Sequence, residues 1–221
     1  MASDGSQFFV VWHDTRNGDD DIYGARVSAS GEVLDEDGIA VSTAASSQLV
    51  PSVTWGGNQY LVVWHDNRNG SNHDIYAARV SASGEVLDAD GIAVSIAEVA
   101  QQVPSVAWGG SQFLVVWHDF RSGDDADIYG ARVSVSGEVL DTEGIAVSTS
   151  AGLTNYPSVA SDGTQFFVAW TDRRNDNWDI YGARVSEEGE VVDDEGIALS
   201  TAANEQYHPS VASDGSQYFI A

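Results

Sequence analysis

The chain has 221 residues, 43% of them apolar and seven of them tryptophan, enough to bury a sizeable core and too apolar for a disordered tail. Thirty-four acidic residues stand against nine arginines and no lysine, a net charge of −25 that repels phosphate backbones and anionic lipid and so excludes nucleic acid and membrane surfaces as partners. Cysteine is absent and no apolar run approaches the length of a membrane helix, which removes disulfides, thiolate metal sites and membrane insertion. No signal peptide precedes Ala2.

After a short ASDGS lead, QFFVVWHD (Gln7 to Asp14) reads as a strand with Phe8, Val10 and Trp12 on one face and Phe9 and Val11 on the other. Both faces are apolar, so the sheet must be covered on both sides. The polar loop DTRNGDDD leads to a second strand, DIYGARVS, closed by Ala-Ser-Gly. A short EVLD segment then introduces GIAVS as a further strand. The connection TAASSQLV ends at PSVTW, a strand stopped by Gly-Gly, and the pattern begins again. Helix signals are missing; β-branched and aromatic residues dominate.

The repetition is regular. PSV recurs at Pro51, Pro104, Pro157 and Pro209, in steps of 53, 53 and 52 residues, and Trp12, Trp64, Trp117 and Trp170 keep the same period. A fixed period of four short strands, each sheet buried on both faces, packs as the blades of a propeller. The sequence therefore predicts an all-β fold: a β-propeller of four-stranded antiparallel blades, four per chain, in one domain. The units run over about residues 1–50, 51–103, 104–156 and 157–208.

Residues 2–10 nearly duplicate residues 212–220. The first unit lacks most of its inner strand, so Pro209 to Ser213 is expected to pair with Gln7 to Trp12. Residues 209–221 would then complete the first blade and remove an open edge. Because the joint holds two copies of one strand start, one copy is expected to fray. A closed monomer is favoured over a head-to-tail dimer of eight blades, since intramolecular closure costs less entropy.

VVWHD, repeated three times and once as VAWTD, carries the polar signal. His13, His65 and His118 lie on second strands, each strand outward adding about 4.8 Å of radius, so a shared metal ion is not expected. The aspartates occur in all four units with an arginine two residues on and a second aspartate opening the next strand. The sets are Asp14, Arg16 and Asp21; Asp66, Arg68 and Asp74; Asp119, Arg121 and Asp127; and Asp172, Arg174 and Asp179. Each reads as a clamp in which a guanidinium bridges two carboxylates across a hairpin, with the tryptophan stacked beside it. The alternative is calcium held by Asp14, Asn17, Asp19 and Asp21, although the loop lacks the ordered spacing of known calcium loops and the arginine competes for the same oxygens. No other cofactor is expected. Arg26, Arg79, Arg132 and Arg184 also keep the period, leaving Arg173 as the one arginine outside it.

The motif V-V-W-H-D-x-R-N-G…D-I-Y-x-A-R-V-S…G-E-V-L-D-x-x-G-I-A-V-S resembles the blade repeat of secreted or surface β-propeller proteins of environmental bacteria, along essentially the whole chain. It is unlike a WD40 blade, whose Trp-Asp pair ends the third strand, and unlike the sialidase Asp-box. The resemblance implies a propeller in an extracellular or cell-surface setting and supplies no catalytic residues.

The units differ most in their loops, which is what a binding module shows. The expected function is therefore a non-enzymatic extracellular scaffold binding protein or glycan through one face, with Phe120, Trp178 and His73 as ligand contacts. Alternatives are a repeat array without a ligand and a calcium-stabilised propeller. A glycoside hydrolase ranks below them, because hydrolysis needs two carboxylates about 5–9 Å apart and the inner strands offer none.

Overall fold

The computed structural model describes residues 1–70, 72–123 and 125–221. Its strands follow the repeat. Blade 1 comprises β1 (Ala2–Ser3), β2 (Gln7–Asp14), β3 (Asp21–Ser28) and β4 (Ile39–Ser42). Blade 2 comprises β5 (Gln48–Gly56), β6 (Gln59–Asp66), β7 (Asp74–Ser81) and β8 (Ile92–Ser95). Blade 3 holds β9 (Gln101–Trp108), β10 (Gln112–Asp119), β11 (Asp127–Ser134) and β12 (Ile145–Ser148). Blade 4 holds β13 (Thr154–Ser161), β14 (Gln165–Asp172), β15 (Asp179–Ser186) and β16 (Ile197–Ser200). Each blade is a four-stranded meander in sequence order, the β-propeller arrangement the repeat predicts. Among the described residues no helix is long and apolar enough to cross a membrane.

The core lies between blades. Ile22 and Val41 of blade 1 receive Tyr60, Val62 and Trp64 of blade 2. Ile75 and Val94 receive Phe113, Val115 and Trp117, and Ile128 and Val147 receive Phe166, Val168 and Trp170. Trp64, Trp117 and Trp170 are fully buried. This two-sided burial is why the second strand of every unit is apolar on both faces.

The inner strands β5, β9 and β13 pack side by side. The serine of PSV links them: the amide of Val159 donates to Ser105 Oγ at 3.3 Å, and that of Val211 to Ser158 Oγ at 3.0 Å. Gln7 and Gln59 tie each blade to the next by donating to the carbonyls of Ala82 and Val135, at 2.6 and 2.7 Å.

The predicted closure is not what forms. Val211–Ser213 (β17) pairs with Tyr218–Ile220 (β18) in a separate two-stranded sheet that stacks on β13. The first blade uses its own β1, with Ala2 opposite Phe9 and Ser3 opposite Phe8. Both copies of the duplicated segment are ordered, and neither frays. The reason is local. In each, an aspartate caps the turn: Asp214 Oδ1 accepts the amides of Ser216 and Gln217 at 2.9 and 3.0 Å, and Asp4 does the same for Ser6 and Gln7. A hairpin closed over so few residues costs far less loop entropy than pairing across the whole chain. Residues 209–221 thus begin a fifth sheet and do not complete blade 1.

Candidate functional site

Every clamp is present, but wired differently from the expectation. Asp14 and Arg16 approach to 2.6 Å, Asp66 and Arg68 to 2.6 Å, Asp119 and Arg121 to 2.7 Å, and Asp172 and Arg174 to 2.6 Å. The arginine's other arm donates to a backbone carbonyl of the GIA turn (Asp37, Asp90, Glu143 or Glu195) at 2.5 to 2.7 Å, not to the second aspartate. It stacks on the tyrosine of the third strand at 3.9 to 4.0 Å, not on the tryptophan. The indole instead donates to the same aspartate at 2.8 to 2.9 Å. Strand pairing explains the difference: tyrosine lies directly opposite tryptophan, and the two aspartates face each other. One guanidinium cannot satisfy both carboxylates and keep the carbonyl. The second aspartates take small donors in its place: Asn17 for Asp21, Asn69 for Asp74, Ser122 for Asp127 and Asn177 for Asp179.

A second ion pair went unread in the sequence. Arg26, Arg79, Arg132 and Arg184 each grip the aspartate of EVLD or its equivalent (Asp35, Asp88, Asp141 and Asp193) at 2.7 to 2.8 Å. The ARVS and EVLD tracts could have been paired from their shared period.

The calcium set does not assemble. Asp14 is taken by Arg16 and Trp12, Asn17 turns its amide to Asp21 and Tyr23, and Asp19 is exposed. Among the described residues no group of three or more histidine or acidic side chains is arranged to hold a metal.

The loops after the second strands and the starts of the inner strands meet at one end of the blades, where Leu49 lies opposite His65, Gln102 opposite His118 and Asn155 opposite Thr171. Each inner strand bulges there. The residue before each proline takes a positive φ: Val50 at 52°, Val103 at 51°, Tyr156 at 53° and His208 at 56°. Non-glycine residues avoid this region, and a following proline disfavours it further, so each position stores backbone strain that the surrounding packing must hold.

Two side-chain groups line this mouth. In the first, His73 stacks 4.7 Å from His65, its Nδ1 is 3.1 Å from Gln102 Nε2, Gln102 Oε1 is 3.3 Å from His118 Nε2, and Phe120 meets His118 edge-on at 5.4 Å. Burial drives the imidazoles of His65 and His118 down to about 4, with His73, His118 and His13 adding to the effect at His65. In the second, Trp178 lies 5.8 Å from Tyr207 and 5.7 Å from the Arg173 guanidinium, while Tyr156 stacks on His208 at 3.9 Å. His73 and Phe120 thus lie in one of these groups and Trp178 in the other. Gln102, Tyr156, Tyr207 and His208 were missed; their signal was the variation at the positions just before each proline.

Beside the first group is a cleft of about 310 Å³ lined by Asn69, Asn72, Asp74, Ile96, Ala97 and Glu98. Burial pushes the Asp74 carboxyl up, and the facing Asp66 carboxylate adds to the rise, against the Asn69 hydrogen bond. Glu98 is exposed. Its counterparts are Ala45, Ala151 and Ala203, so only blade 2 joins two carboxyl groups in this way. A wider groove, about 570 Å³, involves Ile180, Leu199 and Ile220.

The fold and this end together define an all-β propeller with a polar and aromatic mouth. Among the solved structures it resembles are glycoside hydrolases. A thermostable family-43 glycoside hydrolase is 10% identical, with a TM-score of 0.60 over 99% of this chain and 80% of its own. The endo-arabinase of Bacteroides thetaiotaomicron is 14% identical, with a TM-score of 0.60 over 97% and 84%. The α-L-arabinofuranosidase of Lactobacillus brevis is 11% identical, with a TM-score of 0.59 over 99% and 79%. No sequence-family profile and no curated protein sequence matches the chain. At such identity the likeness establishes the fold. The three named structures are glycoside hydrolases, a finding that stands against the expectation of a non-enzymatic scaffold. The inner strands do lack carboxylates, as read, but a cleft at the mouth does not.

Proposed function

We propose that this propeller is a glycoside hydrolase working at its mouth. The observation that carries the reading is the blade 2 cleft, which Asp74 and Glu98 both line. Glycosidic hydrolysis uses a carboxylic acid that keeps its proton to donate it to the leaving oxygen, and a second carboxyl group acting as base or nucleophile. Asp74, pushed up by burial and by Asp66, is suited to the acid role, and the exposed Glu98 to the other. The single departure from symmetry at Glu98 supplies the inequality that acid and base assignments need. The shared fold with arabinan-cleaving enzymes supports arabinose-containing polymers as the first substrates to test. The same reading places the protein outside the cell, where such polymers occur.

The test is reducing-sugar release from arabinan and from a panel of neutral polysaccharides, with Asp74→Asn and Glu98→Gln alongside. Each variant is expected to lose at least about a hundredfold in kcat while melting like the parent. Absence of release from every glycan, or full activity in Glu98→Gln, overturns the assignment.

A further inference from the structure

The proposed cleft leaves the most aromatic part of the mouth unused. From Trp178 to Tyr207 is 5.8 Å between ring centres, from Tyr207 to His208 6.3 Å, and from His208 to Tyr156 3.9 Å, which makes one continuous run of rings. These rings are not core: Tyr207 is 45% and Tyr156 39% exposed. Tyr156 and His208 occupy two of the strained positions before proline, and Tyr156 lies within the β13 bulge. Polar groups border the run. Arg173, the one arginine outside the eight ion pairs of the described residues, holds its guanidinium over Trp178, and Glu205 accepts the Tyr207 hydroxyl at 2.6 Å.

We infer that Tyr156, Trp178, Tyr207 and His208 form a platform for a neutral, extended oligosaccharide. Sugar rings present flat C–H faces that stack on aromatic rings, while their hydroxyls accept from groups such as Arg173 and donate to groups such as Glu205 at the edges. Several neighbouring rings, tilted 45–49° from one to the next, offer contacts to more than one sugar. The neutrality follows from charge. The chain carries −25, and eight of its nine arginines are already paired with aspartates, so a polyuronide approaches a field of its own sign. At the platform Arg173 stands with Glu205 and with Asp176 of its own loop, so an anionic ligand meets acidic neighbours and a neutral one is spared that repulsion. This inference rests on the glycan reading above and deepens it by naming the charge class of the ligand.

Trp178 serves as its own fluorescent reporter. The experiment titrates the intact chain with neutral arabino-, xylo- and galacto-oligosaccharides and with an oligogalacturonide of matched length, at low and high ionic strength. At least one neutral series is expected to bind with an affinity unmoved by salt, and the oligogalacturonide not to bind at low salt. By calorimetry, Trp178→Ala and Tyr156→Ala are each expected to weaken binding about tenfold, the worth of one stacked ring, and Trp178→Phe to keep most of it. Asp74→Asn and Glu98→Gln are expected to bind like the parent. Binding that persists without any turnover overturns the hydrolase reading and leaves the platform standing. Failure of every neutral oligosaccharide to bind, tighter binding of the uronide, or unchanged affinity in both alanine variants overturns the platform.

Discussion

The four clamps share their chemistry and differ in burial, which makes the protein its own control. In blade 4 the Asp172 side chain is fully buried and Arg174 is 19% exposed, whereas in blade 1 Asp14 is 25% and Arg16 41% exposed. Asp172→Ala leaves the Arg174 guanidinium with the Glu195 carbonyl alone, and strips the acceptor from the buried Trp170 indole and the Arg174 amide. Breaking one side of a buried pair costs about 3–5 kcal/mol. For a chain of this size that lowers the melting midpoint by roughly 10 °C. Asp14→Ala removes the same bonds in solvent, where exposed pairs contribute little. This holds even though the Arg16 hydrogen bonds keep the Asp14 carboxyl down to about 2. Its midpoint is expected to stay within the error of the melt. Calorimetric melts of both variants, with chemical denaturation to check the ranking, read the difference. Equal losses in the two variants, or a larger loss for Asp14→Ala, would refute the argument that burial and not the bonding pattern sets the worth of the clamp.

Acid is expected to destabilise the mouth first. The folded-state values of His65 and His118, about 4, lie below the ordinary value of 6.5, so the unfolded chain binds more protons between them. Their contribution is complete above about pH 6.5 and is lost as pH falls toward 4, on the order of 3 kcal/mol for each ring. His118→Gln should flatten this limb of a melting-midpoint profile, and an unchanged slope rejects the assignment. Gly56→Ala tests the blade 2 to blade 3 contact: a Cβ there falls 2.1 Å from Cδ2 of Trp108. The indole must move, at a cost of about 1–3 kcal/mol, which denaturant unfolding detects; a neutral result means the interface is looser than described.

The blade could be read residue by residue. Apolar residues on both faces of the second strand required cover on both sides, and Trp64, Trp117 and Trp170 are buried between blades, whereas Trp12 of the first blade is only partly covered. The arginine that follows each VVWHD aspartate was correctly given that aspartate, because two residues cannot lie far apart. Its other partner was not legible. Opposition of Trp12 and Tyr23, and of Asp14 and Asp21, depends on hairpin register, and the carbonyl of Asp37 reaches Arg16 only once the GIA turn has folded back. The terminal joint was misread for a related reason. Two equal copies of ASDGSQ look interchangeable as letters, and only the relative cost of a local hairpin and a distant pairing separates them.

By itself the sequence determined the unit, its period and its two-sided burial, because these are set by neighbours within a strand or a turn. The tertiary structure decided what the repeats make between them. His73 comes from a loop of blade 2, Gln102 and His118 from two strands of blade 3, and Tyr156 reaches His208 across 52 positions of chain. Such contacts follow from how far each sheet turns against the next. That rotation is a sum over many side-chain packings, and no short stretch of residues encodes it.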